Sequence, residues 1–276
     1  MDFSDVVRNL RNVYEHERRQ KKVRNYFRDG HHNFQPEDRK VVVNWMISCV
    51  DYYYGLMDIL HLSVTLFDLF LSSEKSPLFS REKLQCVGAI CIKIAFDTIY
   101  NAKTDEGFAI VAMTSRVDPE SSIDELRRIY ILVINRFRGK TFFVTPYVFL
   151  SYYHIILKLE PHHDLYSMTN YVLELALYDD FLSVKCYYKP SLVAATALYT
   201  GIIALGFHTR WFDDLSVLTG YNGEEIDIND VHERMKFLLK TAYLEPKIHS
   251  TQARYYLQEN NYMSTFDYSH LRYHGN

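Results

Sequence analysis

The stretch Pro36-Glu37-Asp38-Arg39-Lys40-Val41-Val42-Val43-Asn44-Trp45-Met46-Ile47-Ser48-Cys49-Val50 decides the fold class. Proline suits the first turn of a helix, where its missing N–H goes unused, and acids just behind it complement the helix dipole. Val41, Val42, Trp45, Met46, Cys49 and Val50 then recur at helical spacing on one face. The following segment, Asp58 to Leu71, is apolar on most sides, which predicts a central helix packed by several neighbours. Ser72-Ser73-Glu74-Lys75-Ser76-Pro77 breaks it. Ser80 with Glu82 then opens a third helix from Arg81 towards Tyr100, in which Gly88 and Ala89 permit close approach of another helix.

Outward from this block the pattern continues. Residues 101 to 120 read as a loop or a short exposed helix. Ser122-Ile123-Asp124-Glu125 opens another amphipathic helix with Leu126, Ile129, Val133, Ile134 and Phe137 as its stripe, ended by Arg138-Gly139-Lys140. Thr145-Pro146 starts the next one. Tyr147 to Leu159, Leu165 to Tyr178, Pro190 to Leu205, Trp211 to Leu218 and Val231 to Tyr243 supply five more. Phe142-Phe143-Val144 is too short for a strand between two helix signals. A weak internal echo relates Phe67-Asp68-Leu69-Phe70-Leu71-Ser72 to Tyr178-Asp179-Asp180-Phe181-Leu182-Ser183. Each is followed by a small-residue helix, Val87-Gly88-Ala89 and Val193-Ala194-Ala195, as two copies of a five-helix unit would be.

Composition narrows the function classes. The 276 residues suit two modest domains or one large one at roughly 150 residues per domain. There are 23 Tyr and 17 Phe but only 10 Gly and 7 Pro, which favours long elements and excludes a mainly disordered chain. The 31 Lys and Arg nearly balance 34 Asp and Glu, for a net charge of -3, so wrapping nucleic acid is not the expected role. The basic run Arg18-Arg19-Gln20-Lys21-Lys22-Val23-Arg24, extending to Arg28, reads as a solvated linker or as a nuclear import signal. Phosphate binding is the weaker reading there, since no base-stacking platform accompanies the run.

Cys49, Cys86, Cys91 and Cys186 form no CxxC pair and have no histidines at zinc spacing, so neither a metal site nor a disulfide framework is expected, and a reducing compartment follows. Each reads as a buried structural thiol. His162-His163 reads as a surface turn. The N-terminus lacks the apolar core of a signal peptide. Pro190 to Thr209 is uncharged and long enough to span a bilayer, but Ser191, three Thr, Tyr199, His208 and two Gly make it a buried helix and no membrane role is expected. GxGxxG, GxxxxGK[ST], HExxH and GxSxG are absent, so no enzyme activity and no cofactor are expected.

Asp38-Arg39-Lys40-Val41-Val42-Val43-Asn44-Trp45 resembles the start of a cyclin box, where the family commonly has Met-Arg-Ala-Ile-Leu-Val-Asp-Trp. Leu60-His61-Leu62-Ser63-Val64, Phe67 to Ser73 and Lys83-Leu84-Gln85-Cys86-Val87-Gly88-Ala89 follow in family order and spacing. Thr145, Phe149-Leu150, Glu174-Leu175, Pro190 to Ala195 and Leu218-Thr219-Gly220-Tyr221 are similar to the second box of A/B-type cyclins and cyclin J. Phe3 to Val13 resembles the helix that precedes the first box. The resemblance covers about residues 3 to 243. It implies an all-α protein of two tandem five-helix cyclin boxes: an N-terminal helix and basic linker at 1–35 and boxes at 36–141 and 142–244. The tail at 245–276 is polar, Tyr-dotted and without sustained period, and reads as flexible, with a few aromatic points that could pin it.

It also implies a regulatory subunit of a cyclin-dependent kinase, located in nucleus and/or cytoplasm and acting in cell-cycle, meiotic or developmental control. The alternative is a kinase-independent cyclin-fold scaffold that recognises peptides or chromatin proteins. Arg39 and Asp68 match the family's buried ion pair. The kinase-interface candidates are Phe3, Val7, Lys93, Asp97, Thr98, Tyr100, Tyr130 and Ile134. Two of them depart from the family, because Asp97 stands where cyclins carry a Lys and Tyr130 where they carry a Glu. Lys93 lies one turn before Asp97, as a surface pair would. The docking-groove candidates for Arg-x-Leu peptides are Asp38, Val41, Trp45, Leu84 and Gln85, with Asp38 in place of Met and Ser48 in place of an acid; Val41, Trp45 and Leu84 read equally well as core. Arg254-Tyr255-Tyr256-Leu257 matches RxxL but is too short to claim as a destruction signal.

Overall fold

A computed structural model of the chain describes residues 3–28, 34–53, 56–73, 83–101, 123–160, 163–186, 188–207, 213–222, 226–244, 250–257, 260–265, 267–268 and 270–271. Ser76-Pro77, Ser80, His162, Trp211 and residues 102–120, all singled out in the sequence, lie outside them. Among the described residues every regular element is helical: α1 (Phe3–Arg19), α2 (Pro36–Tyr53), α3 (Met57–Leu71), α4 (Leu84–Tyr100), α5 (Ile123–Phe137), α6 (Pro146–Leu157), α7 (Asp164–Tyr178), a π turn (Phe181–Lys185), α8 (Pro190–Ala204), α9 (Asp213–Thr219), α10 (Ile226–Leu244), α11 (Ser250–Arg254) and a 3-10 turn (Met263–Thr265).

The chain divides into two compact units. One comprises residues 20–143 with 183–187, and the other residues 1–19, 144–182 and 188–276. In the first, α3 is buried along nearly its whole length and packs on α2 and α4, and α5 packs on α4. α2 passes close to α4 at Gly88, where a Cβ would sit 3.2 Å from Met46 Sδ and Val42 Cγ1. Past α5 the chain turns through Arg138 and Gly139, both at positive φ, and Gly139 N–H closes the helix by donating to Ile134 O.

In the second unit α8 is the central helix, in contact with α6, α7, α9 and α10. It corresponds to the apolar run from Pro190 and is buried almost throughout. No described helix is long and apolar enough to cross a membrane. Val231 to Tyr243 proves to be the later part of a longer helix that begins at Ile226.

Both ends of the described chain are packed into this second unit. α1 packs on α6 and α8. Tyr14 donates to Thr219 O at 2.8 Å and meets the Tyr153 hydroxyl at 3.1 Å. Glu17, on the same helix, accepts both the N–H and the hydroxyl of Ser191 at 2.6 and 2.7 Å, so it caps α8 from outside. Among the described residues of the tail, Tyr255, Met263, Tyr268 and Leu271 join the core of this unit, the aromatic pinning points that the sequence offered. Thr251 and Arg254 both bond the buried Glu174 at 2.7 Å. Arg254 and Tyr255 of the RxxL match are thereby occupied as anchors.

Candidate partner-binding surface

The first unit is held by a clamp. Arg39 Nε and Nη2 donate to Asp68 Oδ1 and Oδ2 at 2.8 and 2.7 Å, and the Tyr26 hydroxyl donates to Oδ1 at 2.8 Å. Arg39 is wholly withdrawn from solvent. The fork-to-fork geometry pairs both charges and ties α2 to α3, and the Tyr26 bond anchors that residue to α3. Tyr26, which sequence reasoning missed, keeps its proton because burial pushes its hydroxyl well above the ordinary value. Its signal was a group of aromatics, Tyr26, Phe27 and Phe34, in an otherwise polar segment; their rings pack together here.

On the face built by α4 and α5, Lys93, Asp97 and Tyr130 come together. Lys93 is 5% exposed; its Nζ pairs with Asp97 Oδ2 at 2.7 Å and lies 5.4 Å from the centre of the Tyr130 ring. The pair expected on the surface is therefore half-sunk, with the ammonium over an aromatic face. Burial, and then the Asp97 charge, raise the Tyr130 hydroxyl above its ordinary value. Thr98 turns inward, its hydroxyl bonded to Ile94 O and to the Thr141 hydroxyl, both at 2.7 Å. Tyr100 stacks on Phe96 and is 51% exposed. Ile134 is half-buried, while its neighbours Ile131 and Leu132 stand exposed. This face thus neutralises its own charge and offers apolar and aromatic surface.

The docking candidates separate. Val41 is 65% exposed, Trp45 and Gln85 are half-buried, and Leu84 is fully buried. Leu84 belongs to the core because it opens α4 facing inward, which corrects its placement in a groove. Asp38 is half-buried and accepts the Gln35 N–H at 2.9 Å, the back-reaching bond of a helix cap. Ser48 donates to Asn44 O. Phe3 and Val7 lie on α1 in the other unit, Phe3 exposed and Val7 half-buried beside the buried Val6 and Leu10.

The thiols of Cys49, Cys86 and Cys91 are buried, and burial pushes Cys49 up to about 12. Cys186 is half-exposed, unlike the fully buried thiol expected of it. His163 caps α7 by accepting the Leu165 N–H. Among the described residues no three His, Cys, Asp or Glu side chains gather as a metal site would require.

Comparison with known proteins gives a consistent picture. Residues 8–119 match the family described as "Cyclin, N-terminal domain" and residues 144–268 the family described as "Cyclin, C-terminal domain". The G2/mitotic-specific cyclin-A of Hydra viridissima is 26% identical over 247 residues, covering 83% of this chain and 56% of that protein. Cyclin-B2-1 of Oryza sativa subsp. japonica is 28% identical over 191 residues, covering 68% and 42%. The chain spans about half the length of these relatives. Among solved structures, a viral cyclin from herpesvirus saimiri superposes with a TM-score of 0.63 at 18% identity, over 83% of this chain and 95% of that one.

Proposed function

We propose that this chain, which belongs to the cyclin family, is a regulatory subunit that binds a cyclin-dependent protein kinase through the α4–α5 face of its first cyclin box. The observation that carries the reading is that face itself. Tyr100, Ile131 and Leu132 are exposed on adjacent helices, and aromatic and aliphatic anchors of this kind supply interface energy. The charged contacts that other cyclins use are replaced by a Lys93–Asp97–Tyr130 cluster closed on itself. Recognition then rests on apolar fit more than on salt bridges. Regulation would follow from population shift, since a partner that binds only the active arrangement of a kinase favours it by its differential affinity.

The test is copurification of the full chain with a panel of purified cyclin-dependent kinases, followed by phosphorylation of a protein substrate. The expected result is a stable complex with at least one kinase, weakened at least tenfold by Leu132→Asp or Tyr100→Asp. Failure to bind or activate any kinase of the panel would sink the proposal.

A second reading, a kinase-independent scaffold for peptides or chromatin proteins, is favoured by the exposed Val41 beside Trp45 on α2. It expects partner capture that survives Leu132→Asp and is lost on Val41→Asp. We place the protein's action in nucleus and/or cytoplasm, in cell-cycle, meiotic or developmental control. The basic run between α1 and α2 supports nuclear import, and replacing Lys21 and Lys22 should shift a fluorescent fusion to the cytoplasm.

A further inference from the structure

A cleft of about 570 Å³ opens in the first unit between the segment before α2, the end of α3 and the end of α5. Four cations line it, Lys21, Lys22, Arg24 and Arg136, and no carboxylate does. Lys21 and Arg136 have no ion-pair partner among the described residues. At its wall the Ser73 hydroxyl oxygen is shut off from solvent and bonds to nothing among the described residues. Bringing Lys21 and Arg136 to one cleft with no ion-pair partner for either has an electrostatic cost, and an orphaned buried hydroxyl adds a desolvation cost. An anion rich in acceptor oxygens would relieve both.

We propose that this cleft binds the phosphate of a phosphorylated serine or threonine on a partner protein. The phosphate carries about -1.5 to -2 charges at neutral pH, with three strong acceptor oxygens. Arg136 offers a planar fork for two of them and the lysines act as point charges. The volume lies within the ordinary range for a small-ligand site, enough for a phosphorylated side chain and its immediate neighbours. A nucleotide base finds no stacking platform, because the one aromatic ring of the lining, Phe137, is buried with its edge against Phe143. The cleft is distinct from the α4–α5 face and does not depend on its role.

The test uses the full chain and fluorescence anisotropy at 0.15 M salt, with a degenerate decapeptide pool bearing a fixed central phosphoserine and the same pool bearing serine. The phosphorylated pool should bind at least tenfold tighter, and inorganic phosphate should compete. Arg136→Ala and Lys21→Ala should each weaken binding about tenfold with unchanged circular dichroism, and Ser73→Ala about threefold. Equal affinity for the two pools would overturn the proposal, as would full binding by Arg136→Ala. Duplex DNA or phosphoinositide vesicles that bind through these residues while the phosphopeptides do not would overturn it as well.

Discussion

Asp68 and Asp179 occupy matching places in two copies of one short pattern, Phe67 to Ser72 and Tyr178 to Ser183, and the two carboxylates are used differently. Asp68 sits inside α3, three residues before its end, and faces a guanidinium from the opening helix of its box. Asp179 lies just past α7, where it accepts the Leu182 N–H at 2.9 Å and takes Arg234, on the last helix of its box, at 2.6 Å. The first is a buried cross-brace between helices. The second shapes a turn, and its arginine is partly in water and packed on Phe237. A shared sequence pattern therefore marks a shared position in the chain more surely than a shared role, because what an acid does depends on which cation the fold brings to it.

The difference can be broken at its strongest point first. Asp68→Ala strands Arg39 in the core and should cost about 3–5 kcal/mol, visible as a large fall in the urea midpoint by circular dichroism. A cost below about 1 kcal/mol would refute the brace.

Next in size is a dependence on acid that belongs to the second unit. His154 and His232 are buried against Thr169 and Thr200 at 2.8 Å, and burial lowers both imidazoles to about 4. Their neutral form is the folded one. Stability is full above the unfolded value near 6.5 and drains as pH falls towards 4, by at most about 3 kcal/mol per histidine. Thermal melts between pH 7 and 4 should show this fall, and His154→Gln should remove part of it.

Asp179→Ala should cost less than loss of Asp68, about 1–3 kcal/mol, since Arg234 can turn to solvent. Urea melts of the two alanine variants side by side measure the gap between brace and turn.

The smallest effect compares two glycines at helix crossings. A Cβ at Gly201 would lie 2.6 Å from Thr169 Cγ2, whose side chain is held by His154 and the Leu165 carbonyl, so Gly201→Ala should cost about 1–3 kcal/mol. At Gly88 the contacts are looser, 3.2 Å to both the flexible Met46 and the stiffer Val42, and the better helix propensity of alanine offsets part of the strain, so Gly88→Ala should cost less than Gly201→Ala, about 1 kcal/mol or below. Melting temperatures decide both.

The helices were legible because their cores repeat at helical spacing, and so was the Arg39–Asp68 pair through its family motif. Leu84 was misplaced since periodicity marks a face as apolar without saying what covers it. Lys93 was expected at the surface because only its own helix was in view, whereas Tyr130 of α5 helps to shield it. The placement of α1 and the anchoring of the tail rest on Glu17–Ser191 and Glu174–Arg254, pairs 174 and 80 residues apart, which no local pattern encodes.

The Glu17–Ser191 cap also sets an order of events during synthesis. At about 5–20 residues per second, roughly ten to thirty seconds pass between the two residues joining the chain. The first cyclin box, complete by residue 143, can close upon itself before Ser191 is made, while α1 lacks the surface it will cover. Its apolar stripe of Val6 and Leu10 is covered only once α6 and α8 have been made.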